Sequence, residues 1–142
     1  MAKAKQMVSD VMTRDPVMMG ADAPIMEAAR AMRASDIGDV IVLRDGAICG
    51  ITTDRDIVIR AIAAGKDPMT TPLEEVCSQD LTTITADRPI DEAVKLMREK
   101  AIRRLPVVDG GMPVGVISLG DLAIQREPKS ALANISEAPP ND

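Results

Sequence analysis

Hydrophobic and polar positions follow one pattern twice along the chain, in the same order. A short apolar run at 17–19 and a run of β-branched residues at 82–84, Thr-Thr-Ile, each predict a strand. The sequence Asp-x-Pro follows each run, and Asp22 or Asp87 is predicted to cap a helix with the proline just inside it. In the second half, apolar residues then recur on one face at helical spacing: Ile90, Ala93, Val94 and Met97.

Two further apolar runs in each half predict a hairpin. They are separated by Asp45-Gly46 in the first half and by residues 109–111 in the second, and Asp-Gly is a strong hairpin signal. The second run ends at Thr53 or Ser118, where a last helix is predicted to begin. Each half is therefore predicted to be β-α-β-β-α. Because one copy cannot cover both sides of its sheet, we expect an α/β (α+β) fold in which two pseudo-symmetric repeats pack through their sheets.

The two halves match at a constant offset of 65 residues without a gap, for example Asp56 with Asp121. Such a register, held across both apolar and turn positions, indicates an internal duplication. It predicts the following organisation: a first repeat at 8–64, a linker rich in Pro and Thr at 65–72, a second repeat at 73–126 and a poorly ordered tail at 127–142.

Composition narrows the function classes. The chain has no Phe, Tyr or Trp, so the 10 Met residues are predicted to fill the core beside Val, Ile, Leu and Ala. A net charge of −5 and the lack of aromatic stacking groups argue against nucleic-acid binding. No apolar run approaches the ~20 residues of a membrane span, and no signal peptide opens the chain, so we expect no membrane association and a cytoplasmic location.

Catalytic chemistry has little support in the residues. The chain lacks His, the commonest general base and metal ligand. It has no Gly-rich phosphate loop, no metal triad and no evident nucleophile–base pair, so we expect neither an enzyme nor a metal site. Cys49 and Cys77 form neither a CxxC pair nor a metal spacing, and Cys49 lies in an apolar run where a small buried side chain is expected.

One motif occurs in both halves, at the turn from the last strand to the last helix. It reads Gly, two residues, Thr or Ser, two residues, Asp, and spans 50–56 and 115–121. A hydroxyl at a helix N-terminus stands beside backbone N–H groups that suit a phosphate. A carboxylate one turn later can accept bonds from both hydroxyls of a ribose. The same spacing also makes an ordinary N-cap, but its recurrence in register favours a ligand site.

These motifs identify a family resemblance over residues 8–126. The chain resembles tandem CBS motifs, named after cystathionine beta-synthase. The features that carry it are the repeat period, Val-x-x-Val-Met-Thr at 8–13, Ile102-Arg103-Arg104-Leu105-Pro106-Val107-Val108 and both Gly-x-x-Thr/Ser-x-x-Asp turns. The resemblance implies a non-catalytic Bateman module that forms a homodimer and binds AMP, ADP, ATP or S-adenosylmethionine in clefts between its motifs. Its output would pass to a regulated protein partner.

The resemblance also assigns roles to individual residues. Asp56 and Asp121 are expected to bind ribose hydroxyls, and Thr53 and Ser118 to contact phosphate or ribose. Basic phosphate contacts are expected from the residues at the start of the strand that contains Leu105 and Pro106, with at least Arg104 facing the ligand. The residues expected to contact phosphate are Arg103 and Arg104. The adenine ring is expected to lie between aliphatic side chains, namely Val17, Met18 and Ile84.

The first repeat departs from this pattern. The positions that match Arg103 and Arg104 hold Gly38 and Asp39, and an acidic residue repels phosphate. We therefore predict unequal sites, with the phosphorylated ligand at the second turn, unless Arg55 supplies a cation at the first. Two alternatives stay open. For Arg103 and Arg104 the alternative to phosphate binding is a solvated surface pair, and for the whole chain the alternative function is a structural dimerisation module without a ligand.

Overall fold

The computed structural model describes residues 6–78 and 81–126, so the predicted tail at 127–142 lies outside the described residues. The elements in chain order are α1 (Val8–Val11), β1 (Thr13–Arg14), β2 (Met18–Gly20), α2 (Ile25–Ser35), β3 (Asp39–Arg44), β4 (Ala47–Thr53), α3 (Asp54–Asp56) continued by a π-helix (Ile57–Ile62), a 3₁₀ turn (Leu73–Glu75), β5 (Ile84–Thr85), α4 (Ile90–Lys100), β6 (Arg104–Asp109), β7 (Met112–Ser118) and α5 (Leu119–Arg126).

The chain forms two compact units, each built around one repeat. The first-repeat unit contains the described residues of 16–81, and the second-repeat unit contains those of 6–15 and 82–126. The predicted β-α-β-β-α order is confirmed in both units. The last helix of the first repeat widens into a π-helix after Asp56, whereas its counterpart α5 is α-helical throughout.

Each unit has its own sheet with the same central hairpin. In the first-repeat unit the strand order is β2-β3-β4, with β2 parallel to β3 and β3 antiparallel to β4. In the second-repeat unit the order is β1-β7-β6-β5, with β5 parallel to β6. Both hairpins carry a bulge at the same place, which leaves Cys49 and Val114 without a paired residue on the neighbouring strand.

Each sheet packs against its helix over an aliphatic core. The helical face predicted for the second repeat is confirmed, since Ala93 and Met97 are buried and Ile90 and Val94 pack against the same core. The prediction that methionine fills the core is confirmed only in part: Met12, Met32 and Met97 are buried, whereas the side chains of four described methionines are exposed, namely Met7, Met18, Met69 and Met112. The predicted strand at 82–84 is displaced, because pairing with β6 occurs at Ile84–Thr85 instead.

The predicted caps at Asp22 and Asp87 are wrong. The N-cap positions are Pro24 and Pro89, both extended, and neither helix start has a side-chain cap. Backbone carbonyls from segments that are distant in sequence take that role instead. The first helical N–H of α2, at Ile25, donates to the carbonyl of Thr71 at 3.0 Å, and that of α4, at Ile90, donates to the carbonyl of Gln6 at 3.1 Å.

The segment that begins each repeat belongs to the unit of the other repeat. Val8 N–H donates to the carbonyl of Arg88 at 2.7 Å in the second-repeat unit. Its counterpart, Leu73 N–H, donates to the carbonyl of Ala23 at 2.9 Å in the first-repeat unit. The two segments are related by the 65-residue offset, so the duplication is preserved in these contacts although the partners are exchanged.

Candidate functional site

The strand-to-helix turn of the first repeat is closed by a reciprocal pair of hydrogen bonds. The backbone N–H of Thr53 donates to Oδ2 of Asp56 at 2.9 Å, and the N–H of Asp56 donates to Oγ1 of Thr53 at 3.1 Å. This is a capping box, in which each side chain satisfies a backbone N–H of the other residue. It fixes the position of the Asp56 carboxylate.

The turn of the second repeat has the same geometry. Ser118 N–H donates to Oδ2 of Asp121 at 2.9 Å, and Asp121 N–H donates to Oγ of Ser118 at 3.1 Å. A serine or threonine oxygen that accepts one bond keeps its own O–H as a donor, and a carboxylate has further acceptor positions on its two oxygens. Capping and ligand binding are therefore compatible uses of the same two residues.

The backbone N–H groups of the two helix starts differ in their partners. In the first turn, Asp54 N–H donates to the carbonyl of Gly38 at 3.0 Å and Arg55 N–H donates to Oδ1 of Asp54 at 2.8 Å. In the second turn, Leu119 N–H donates to the carbonyl of Arg103 at 2.8 Å. Among the described residues, none accepts a bond from the N–H of Gly120, because the chain has Leu119 where the first turn has Asp54.

The start of the second strand in each repeat lies directly across from the hydroxyl residue. Arg104 on β6 is the cross-strand partner of Ser118 on β7, and Asp39 on β3 is the partner of Thr53 on β4. Directly opposed residues of antiparallel strands project from the same face of the sheet. A basic residue therefore neighbours the second hydroxyl, and an acidic residue neighbours the first.

Arg103 and Arg104 have different surroundings, although they are adjacent in sequence. Arg103 is exposed and lines a hollow of about 420 Å³ between α4 and α5, together with Val94, Ile102 and Leu122. Arg104 is half-buried at the start of β6. The structure therefore brings Arg104 to the Ser118 turn and assigns Arg103 to a largely apolar surface.

That Arg55 supplies a cation for phosphate at the first turn stays a prediction, and another arginine, Arg60, contacts the carboxylate there. Arg55 is exposed and lines a shallow depression with Val58 and Ile59. Arg60 Nε lies 3.7 Å from Oδ1 of Asp56, and this ion pair is one that sequence inspection missed. The i,i+4 spacing of Asp56 and Arg60 on a helix was the signal that could have indicated it.

The three residues predicted to line adenine differ in exposure. Met18 is 42% exposed on β2, and Val17 is partly buried against the first core. Ile84 is 4% exposed and belongs to the second core. Its burial argues against direct contact with a ligand, since its side chain is already used in packing.

Two features that are absent from residues 6–78 and 81–126 bear on the class of function. No cluster of three or more Cys, Asp or Glu side chains suited to a metal ion occurs there, and the chain has no His. No helix in that part of the chain has the length and apolar character needed to cross a membrane.

Comparison with known proteins identifies the repeats. The CBS domain family model matches residues 8–62 and 73–125. The chain is 38% identical to the CBS domain-containing protein YhcV of Bacillus subtilis over 133 residues, which covers 91% of this chain and 94% of that protein. It is 32% identical to Hypoxic response protein 1 of Mycobacterium tuberculosis over 130 residues, which covers 91% and 90% of the two chains.

Solved structures show the same fold. The crystal structure of Hypoxic Response Protein I with two coordinated zinc ions is 33% identical, covers 83% of this chain and 97% of its own, and superposes with a TM-score of 0.75. The CBS domain pair of protein MJ0100, in complex with 5′-methylthioadenosine and S-adenosyl-L-methionine, is 26% identical. It covers 89% of this chain and all of its own, with a TM-score of 0.79.

Proposed function

The chain belongs to the CBS domain family, and we propose that it is a non-catalytic regulatory module that binds an adenine nucleotide at its strand-to-helix turns. The observation that carries the proposal is the second turn. There Asp121 is held by a capping box, Arg104 lies across the sheet from Ser118, and the described residues leave the N–H of Gly120 without an acceptor.

Each of these groups suits one part of a nucleotide. The Asp121 carboxylate, fixed through Oδ2, would accept bonds from the ribose hydroxyls, and each such charge-assisted bond is worth about 1.5–3 kcal/mol. The Ser118 hydroxyl and the N–H of Gly120 would donate to phosphate at the start of α5. Arg104 would supply the positive charge.

The candidate ligands are AMP, ADP and ATP, with S-adenosylmethionine as the other adenosyl ligand to test. The complex of the MJ0100 pair with two adenosyl ligands supports this class. The three phosphorylated nucleotides share the groups that Asp121 and Arg104 would bind. S-Adenosylmethionine lacks phosphate, so a preference for it would remove the role proposed for Arg104.

Any regulatory output would pass through another protein surface, and we propose a homodimer with a regulated partner. The π-helix presents Val58, Ile59 and Ile62, each more than half exposed. Apolar side chains at this exposure favour a protein contact. The same observation supports the alternative function, in which the chain is a dimerisation module without a ligand.

The test begins with the absorption spectrum of the purified protein. Because the chain has no Trp, Tyr or Phe, a co-purified nucleotide would dominate absorption near 260 nm. Calorimetric titration of AMP, ADP, ATP and S-adenosylmethionine follows. We expect saturable binding of at least one phosphorylated nucleotide. A flat spectrum and no heat with all four would overturn the proposal and favour the dimerisation module.

Asp121→Ala is expected to weaken nucleotide binding by about 2 kcal/mol, roughly thirtyfold, because the ribose bonds are lost. The same change removes a capping box, so Asp56→Ala serves as the matched control that removes the equivalent box from the other repeat. Asp121→Asn is a further control, because the amide oxygen can still accept the bond from Ser118 N–H. Equal affinity in wild type and Asp121→Ala would refute the ribose assignment.

A further inference from the structure

The two cysteines of the chain lie together in the first-repeat unit. Cys49 is the extra residue of the bulge in β4, where Gly50 pairs with Val42 and Ile48 pairs with Leu43. Cys77 follows the 3₁₀ turn and is buried at 4% exposure in the first core. Cys49 packs against that same core.

The backbone brings the two residues close to each other. A Cβ at Gly50, the neighbour of Cys49, would lie 3.0 Å from Sγ of Cys77 and 3.4 Å from its Cβ. One residue further along each of the two segments, Ser78 N–H donates to the carbonyl of Ile51 at 3.0 Å. Burial, and then the neighbouring Cys49 thiol, raise the pKa of Cys77. The close approach of Cys77 to Gly50 and the effect of Cys49 on the pKa of Cys77 both place the two sulfur atoms within reach of each other.

A cation accompanies the pair. Arg44, at the end of β3, forms an ion pair with Glu74 of the 3₁₀ turn and lies close enough to interact electrostatically with both thiols. The thiolate is the reactive form of cysteine. Cys49 is the more accessible of the two and would react first, since the buried Cys77 stays protonated at neutral pH.

The second repeat lacks all of these groups at the matching positions. The offset of 65 places Val114 at the position of Cys49, Met12 at that of Cys77 and Asp109 at that of Arg44. Val114 and Met12 pack in the second core, and a Cβ at Gly115 would lie 2.7 Å from Sδ of Met12. The fold therefore needs only an apolar contact at this place, and the thiol pair with its cation is specific to the first-repeat unit.

We propose that Cys49 and Cys77 are a redox-sensitive pair that forms an intramolecular disulfide when the protein meets a peroxide. The Cys49 thiolate attacks one oxygen of hydrogen peroxide, the O–O bond breaks, and a sulfenic acid and one water form. The Cys77 sulfur then attacks the sulfenic sulfur, and the hydroxyl group leaves with a proton as a second water. Two thiols are oxidised, one peroxide is reduced, and the disulfide joins β4 to the segment after the 3₁₀ turn.

The test uses the full chain treated with hydrogen peroxide, followed by thiol counting in denaturant and mass spectrometry. We expect both thiols to be lost together, a mass decrease of about 2 Da, and a tryptic crosslink between fragments 45–55 and 67–95. Dithiothreitol should restore both thiols. Because no nucleotide is involved, failure of this test would not bear on the proposed ligand site.

Three results would overturn the proposal: a disulfide between two chains, a gain of about 32 Da on Cys49 with the Cys77 thiol intact, or two unreacted thiols at millimolar peroxide. Cys49→Ser is the matched variant, because Cys49 is only partly buried and its loss should leave the fold intact. It should leave Cys77 unreacted. The tryptic map of the wild-type protein decides the question without any variant.

Discussion

At the scale of single residues, Asp56 and Asp121 illustrate why sequence alone left two interpretations of one motif. A carboxylate three residues after a threonine or serine serves both a helix cap and a ribose site. The structure shows the cap in both repeats, made by Oδ2 in each case. The cap orients the carboxylate without using all its acceptor positions, so it supplies the rigidity that a binding residue needs.

Ala101 carries backbone strain that its sequence position did not reveal. It ends α4 in the left-handed conformation with φ 54°, and its counterpart Asp36 ends α2 with φ 56°. A left-handed residue with a Cβ costs about 1–2 kcal/mol, although Asp tolerates this region better than Ala does. Neither residue is glycine, the type by which such helix ends are usually recognised in a sequence.

We expect Ala101→Gly to raise the free energy of unfolding by about 1 kcal/mol, because glycine adopts this conformation without the Cβ penalty. The matched change Asp36→Gly should give a smaller gain. Urea unfolding followed by far-ultraviolet circular dichroism measures both, since the chain has no aromatic fluorophore. A loss of stability in Ala101→Gly would contradict the strain argument.

At the scale of elements, the structure explains the glycine that opens each Gly-x-x-Thr/Ser-x-x-Asp motif. Gly50 and Gly115 lie in β4 and β7 where a segment from outside the repeat runs alongside. A Cβ on Gly50 would lie 2.3 Å from the carbonyl oxygen of Ser78, and one on Gly115 would lie 2.6 Å from that of Thr13. The periodicity of a strand cannot show which other chain segment approaches it, so this role was not predictable.

Substitution of these glycines should therefore destabilise the fold by overpacking. We expect Gly50→Ala to cost about 3 kcal/mol and Gly115→Ala about 2 kcal/mol, because the obstructing backbone carbonyl oxygen would lie at 2.3 Å from the new Cβ at Gly50 and at 2.6 Å at Gly115. Gly65→Ala is the control, since a Cβ there meets nothing within 4 Å and only its positive φ is penalised, by about 1 kcal/mol. Chemical denaturation should rank the losses in that order, and equal losses at all three would exclude the steric explanation.

At the scale of the whole molecule, the constant offset between the repeats predicted the element order and located both turns. It could not predict the two packing units, because residues 6–13 and 71–78 correspond at this offset yet each segment packs with the other repeat. The same exchange explains why the predicted caps at Asp22 and Asp87 are wrong. Backbone carbonyls from these two segments accept the hydrogen bonds of the first N–H groups of α2 and α4.

The two turns of the molecule differ most in charge, although their capping geometry is the same. The first has Asp39 across from Thr53 and Asp54 at the helix start, and its Asp56 is paired with Arg60. The second has none of these acidic neighbours. Comparison of the two repeats in sequence predicted this inequality from Asp39. Only the structure shows that the backbone N–H groups of Asp54 and Arg55 are already hydrogen-bonded within the protein.

From this inequality we expect one phosphorylated nucleotide per chain, bound at the second turn. Arg104→Ala should weaken AMP binding by about tenfold to hundredfold, because a charge-assisted bond to phosphate is lost, and should weaken adenosine binding by less than about threefold. Asp39→Ala, at the matching position of the first repeat, is the control and should not weaken AMP binding. Calorimetry with both ligands gives the affinities and the stoichiometry. If AMP and adenosine lose the same factor in Arg104→Ala, Arg104 lies outside the phosphate site and the inequality of the turns must have another basis.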